Sequence, residues 1–162
     1  MRDVIKIKDI KEAKILEDGI AYIRLVEFRE NTPRDINSSL VELSKQGMRA
    51  LILDLRNNPG GLLESAIEVA ERFIPAGKLI TYTKGRKKKQ DLKFIAQGAH
   101  PILNLPLAVL INEGSASGSE IVAGALQDYK RAVILGTKSF GKGSVQTVIP
   151  FNDGSGLRLT TS

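Results

Sequence analysis

Three stretches of the sequence place small and polar residues directly after apolar runs, and each offers a distinct chemistry. The first is Asp54-Leu55-Arg56-Asn57-Asn58-Pro59-Gly60-Gly61, which follows the apolar run Ala50–Leu55 and precedes a helical pattern. Paired glycines allow positive φ and let a ligand approach backbone amides closely. The N–H groups opening the next helix favour negative charge, so this turn reads as an anion or oxyanion site or as an ordinary strand-to-helix turn. The second stretch is Asn112-Glu113-Gly114-Ser115-Ala116-Ser117-Gly118-Ser119-Glu120. A strand, a turn of small residues and a helix can present a nucleophilic serine. The same string also serves as a flexible connector or a helix cap, and it does not fit G-x-S-x-G.

The third stretch, Gly136-Thr137-Lys138-Ser139-Phe140-Gly141-Lys142-Gly143-Ser144, nearly matches the phosphate-loop pattern G-x-x-x-x-G-K-[ST]. It fails twice: Gly143 stands where a magnesium-binding hydroxyl is needed, and Val145–Ile149 is a strand pattern rather than a helix. Nucleotide binding is set aside on that ground. Lys142 has another use. Buried beside a serine, its amine would be kept neutral by desolvation and could act as a general base. Ser/Lys hydrolases work in this way and need no histidine.

Composition narrows the remaining classes. The chain has no Cys and a single His, His100, which excludes disulfide frameworks, thiolate zinc sites and any metal site needing two imidazoles. At 162 residues it is read as one domain, 1–162, able to bury a core without staples. The net charge of +6 is concentrated in Lys84–Lys93, which carries six cations and one anion. A solvated loop between two strands explains that run better than a nucleic-acid surface, so no nucleic-acid partner is expected. No cofactor or metal is expected either.

The elements that would position these stretches alternate. Strands are predicted at Val4–Lys8, Ile20–Phe28, Ala50–Leu55, Lys78–Thr83, Leu107–Asn112, Ala132–Leu135, Val145–Ile149 and Leu157–Thr161. Helices are predicted from Thr32-Pro33 to Gly47, from Leu62 to before Gly77 and over Glu120–Tyr129. This alternation predicts an α/β domain with a largely parallel sheet and βα crossovers, its sites beyond the carboxyl ends of the strands. Both ends read as cut, the last within a strand pattern.

Taken together in order and spacing, the three stretches resemble the motif blocks of the carboxyl-terminal processing, or tail-specific, proteases, and the likeness runs from about Ile5 to Thr161. The resemblance implies a Clp-protease/crotonase-like core and a serine endopeptidase with a Ser/Lys pair. Carried over by motif, Ser117 is the nucleophile, Lys142 its base and Gln146 the residue orienting the lysine amine. The amides of Gly118 and Gly61 form the oxyanion hole. Glu120 matches an acidic position near the site and reads equally as a structural carboxylate at a helix start. Ser115 and Ser119 flank the nucleophile as poorer candidates, His100 matches no catalytic position, and Gly118 stands where alanine is common. The resemblance further implies substrates with exposed C-termini, a PDZ domain in the full-length parent, an extracytoplasmic location and room for a homo-oligomer. An inactive relative that binds a ligand or peptide is the alternative reading, disfavoured by the presence of both Ser117 and Lys142.

Overall fold

The computed structural model describes residues 8–86, 91–98 and 105–162. The strand expected at Val4–Lys8, the middle of the basic run and His100 therefore fall wholly or largely outside the described residues. Five strands form the central sheet in the order β1-β2-β3-β6-β7: β1 (Ile10–Ile15), β2 (Ile20–Leu25), β3 (Ala50–Asp54), β6 (Leu107–Ile111) and β7 (Val133–Gly136). β1 pairs antiparallel with β2, and the other neighbours run parallel. Helices α1 (Thr32–Lys45), α2 (Leu63–Glu71) and α3 (Gly118–Asp128) make the crossovers. Parallel strands added always in one direction, joined by right-handed crossovers, bring all their helices to one face.

The side chains agree with that geometry. Ala21, Ile23 and Leu25 of β2, Leu51 and Leu53 of β3, and Leu107 and Val109 of β6 are buried on one face. They form a single core with Ile36, Leu40 and Leu43 of α1, Ala66, Val69 and Ala70 of α2, and Val122 and Leu126 of α3. Alternate residues such as Tyr22, Arg24, Ile52 and Leu110 lie half-buried on the opposite face, as the two-residue strand period requires.

The remaining strands form two antiparallel hairpins: β4 (Leu79–Thr83) with β5 (Leu92–Ile95), and β8 (Gln146–Pro150) with β9 (Gly156–Thr160). Here the structure corrects the expectation that the last two strands extend the main series. β8 and β9 bury none of their residues and stand off the sheet as an arm. β1 and β5 were not foreseen. Because β3, β6 and β7 are adjacent and parallel, their carboxyl ends share one edge, and the three sequence stretches leave from there side by side.

Candidate active site

The first loop is built around Asn58, which is wholly buried. Its Nδ2 donates to the Leu25 carbonyl at 3.0 Å, and its Oδ1 accepts the Gly60 amide at 2.9 Å. An asparagine side chain receiving the amide two residues on is an Asx turn, and it bends Pro59-Gly60-Gly61 across the end of β2. The Gly60 carbonyl accepts the Phe28 amide, and the Phe28 carbonyl accepts the Leu62 amide, both at 2.8 Å. Gly61 cannot be replaced without movement: at φ 148°, a Cβ there would lie 1.9 Å from the Phe28 carbonyl oxygen. The Gly61 amide itself has no hydrogen-bond partner among the described residues.

The second loop is locked to the first. The Asn58 carbonyl accepts the Ala116 amide at 3.0 Å and the Ser119 hydroxyl at 2.9 Å. The Ser115 hydroxyl donates to the Leu55 carbonyl at 2.8 Å and accepts the Asn112 amide at 3.0 Å. Asn57 and Asn112 exchange two further hydrogen bonds, Asn57 N–H to Asn112 Oδ1 and Asn112 Nδ2 to Asn57 Oδ1. Ser115 and Ser119 are thus buried and engaged. Ser117 differs from both: half-buried, it forms a capping box with Glu120 at the start of α3, its hydroxyl donates to no group among the described residues, and its backbone is held at φ 54°, ψ −111°. A non-glycine residue there is strained and persists only because its surroundings over-determine it. Gly118 follows at the first turn of α3, and its amide is also without a partner among the described residues. A Cβ at Gly118 would press to 3.1 Å on Ala66 and 3.2 Å on Phe28. An alanine in this chain would therefore require Phe28 to shift.

Glu120 joins the second loop to the third. One carboxylate oxygen accepts the Ser117 amide at 2.8 Å and the Lys142 amide at 2.9 Å. The other accepts the Ser139 hydroxyl and the Gly141 amide, each at 2.7 Å. Burial acts to raise the Glu120 pKa, but these four donors outweigh it and hold the carboxyl below its ordinary value. Phe140 N–H donates to the Ser115 carbonyl at 2.9 Å and fixes the same segment from the other side.

Gln146 reaches the site from the arm, and Lys142 from the segment that leads into it. Both line a cleft of about 840 Å³ together with Gly61, Ser117 and Gly118. The burial on which the sequence argument leaned for Lys142 is not found: Lys142 and Gln146 are exposed. No hydrogen bond joins the Ser117 hydroxyl to the Lys142 amine among the described residues. Asp54, at the end of β3, is fully buried and receives Arg56 Nε at 2.9 Å, Arg56 Nη2 at 2.7 Å and the Tyr22 hydroxyl at 2.6 Å. Burial acts to raise its pKa, and the Arg56 and Tyr22 hydrogen bonds overturn that and lower it. This pair anchors the root of the first loop. Sequence reading passed over Asn58, Asn112, Ser139 and Tyr22. Asn58 and Asn112 leave a local signal, an asparagine two residues before a glycine whose amide its side chain accepts. Among the described residues no group of Asp, Glu or His is arranged to hold a metal.

A strained serine whose hydroxyl proton is committed to no group among the described residues, sharing a cleft with two unengaged amides at the strand ends of an α/β core, is an arrangement able to carry out acyl transfer. Comparison with known proteins gives the family. Residues 19–162 match Peptidase family S41, and the chain belongs to it. It is 46% identical over 166 residues to a carboxy-terminal-processing protease of Bartonella bacilliformis, covering 100% of this chain and 38% of that protein. It is 43% identical over 144 residues to a carboxyl-terminal-processing protease of Synechocystis, covering 89% of this chain and 33% of that one. Among solved structures, the photosystem II D1 C-terminal processing protease superposes with a TM-score of 0.78 at 35% identity, over 97% of this chain and 43% of that chain. The chain thus spans less than half the length of these relatives. The fold is the Clp-protease-like α/β core of the family, as the motif resemblance implied.

Proposed function

We propose that this chain is the core of a serine endopeptidase in which Ser117 attacks a peptide carbonyl and Lys142 serves as its base. The observation that carries the reading is the contrast within one loop: Ser115 and Ser119 are buried and donate their hydroxyls to carbonyls, whereas Ser117 is strained, open to the cleft and donates its hydroxyl to no group among the described residues. Lys142 Nζ takes the Ser117 proton as Oγ bonds to the carbonyl carbon, and the Gly61 and Gly118 amides receive the oxyanion. The lysine ammonium then protonates the leaving amine. Water, activated by the same base, hydrolyses the acyl-enzyme. Gln146 orients the lysine amine, and closure of the arm over the cleft brings Lys142 to Ser117. The substrates are C-terminal regions of partly unfolded proteins, a reading supported by the processing-protease names of the relatives. A PDZ domain in the parent and action outside the cytoplasm belong to the same proposal. Among the described residues no helix is long and apolar enough to cross a membrane.

The test is mass-spectrometric cleavage of an unfolded protein with an apolar C-terminus between about pH 7 and 9. Ser117→Ala, Lys142→Ala and Lys142→Arg should each abolish it, because a guanidinium cannot give up its proton at these pH values. Retained cleavage by Lys142→Arg would remove the general-base role. Retained cleavage by Ser117→Ala would remove the nucleophile.

A further inference from the structure

α3 carries a glycine that the fold does not require. Gly124 lies in the middle of the helix, where glycine costs about 1 kcal/mol relative to alanine. Its φ is not positive, and a Cβ built there meets nothing within 4 Å. Close packing and backbone geometry, the usual reasons for a mid-helix glycine, are therefore both absent. What Gly124 does face is a second cleft, of about 610 Å³, that opens from the same Ser117 and Lys142. Ile121, Gly124 and Ala125 of α3 form one side of it, and Leu79–Tyr82 of β4 form another. Asp128 and Tyr129 mark its far end, where the Tyr129 hydroxyl donates to the Leu79 carbonyl at 2.9 Å.

We infer that this α3–β4 groove is a substrate subsite that takes an extended peptide segment on one side of the scissile bond, and that Gly124 sets its depth. The inference rests on the proposed Ser117 chemistry for its orientation. Its occupant follows from three features. The groove runs without interruption from the reactive serine. Its length, from Ser117 to Asp128 at 1.5 Å per helical residue, is roughly 16 Å, enough for about five residues of extended chain. β4 pairs only with β5 among the described residues, so beyond the Leu79 carbonyl, which Tyr129 occupies, the other edge of Ile80–Tyr82 is available for main-chain hydrogen bonding. The walls are chiefly apolar, through Leu79, Ile80, Tyr82, Ile121 and Ala125. A large apolar side chain therefore seats over the bare backbone of Gly124.

The test separates binding from catalysis. In a Ser117→Ala background, fluorescence anisotropy would follow binding of a labelled, unstructured peptide carrying Phe and Leu, and of the same peptide with Gly in their place. Adding Gly124→Leu should weaken the apolar peptide at least tenfold. Gly124→Ala should weaken it less. Both should melt at or above the temperature of the parent, since neither Cβ meets a neighbour and both residues favour helix more than glycine does. Equal affinity for the apolar peptide with and without Gly124→Leu would overturn the inference, as would failure of the parent to prefer the apolar peptide. Cleavage by the Ser117 form is scored separately, so loss of the protease reading with Gly124-dependent binding intact would identify a binder rather than an enzyme.

Discussion

At the scale of single residues, three serines within five positions have divided into two kinds, and hydrogen bonding separates them. Ser115 and Ser119 donate to buried carbonyls, so replacing either with alanine removes a buried hydrogen bond, at a cost of about 0.5–1.5 kcal/mol. Ser117 has no such partner. Ser117→Ala should therefore leave urea-unfolding stability near that of the parent while Ser115→Ala and Ser119→Ala lower it. A stability loss for Ser117→Ala equal to the others would show its hydroxyl engaged. The sequence marked Ser117 only by motif position, because identical side chains on neighbouring residues differ in burial only after the chain folds. Gly61 and Gly118 were named as oxyanion-hole candidates through the same motifs. Asn58, whose side chain and carbonyl connect both halves of the proposed oxyanion hole, was not: an asparagine in a turn looks the same whether it is solvated or buried.

At the scale of elements, the βα alternation was readable because β2, β3 and β6 are apolar runs and α1 and α2 carry helical spacing. β1 escaped notice because Ile10–Ile15 reads IKEAKI, an edge strand whose charged residues look helical and guard the sheet edge. β5 is hidden behind the basic run. The joint between loops depends on Glu120, and its pH dependence has a defined sign. The folded pKa is lowered, so the stabilisation is complete above the ordinary glutamate value near 4.5 and is lost as pH falls through the lower folded value. Glu120→Gln should therefore reduce the melting temperature at pH 7, and the difference from the parent should shrink on acidification. A gap that stays constant from pH 7 to pH 3 would show that the carboxylate charge does not hold the loops together.

At the scale of the whole molecule, the core and the arm differ in what holds them. β3 and β6 lie inside the sheet with buried residues on the helix face, whereas β8 and β9 bury nothing. Amides of β3 and β6 should exchange with deuterium only through global unfolding, and those of β8 and β9 through much cheaper local opening. Equal protection in native-state exchange would show that the arm is part of the same cooperative unit. The arm was foreseen as strands but not as a separate hairpin, because strand pattern says nothing about which partner a strand finds.

Ser117 is fixed by the core, while Lys142 rides at the base of the arm and is tied back through Glu120 and Phe140. The two groups therefore sit on different rungs of stability, and assembling the pair is an equilibrium distinct from folding. Circular dichroism could report a fully native chain while only a fraction of molecules held Lys142 against Ser117. Substitutions along β8 and β9 could then change turnover manyfold with almost no effect on melting, leaving selection free to set activity and durability independently.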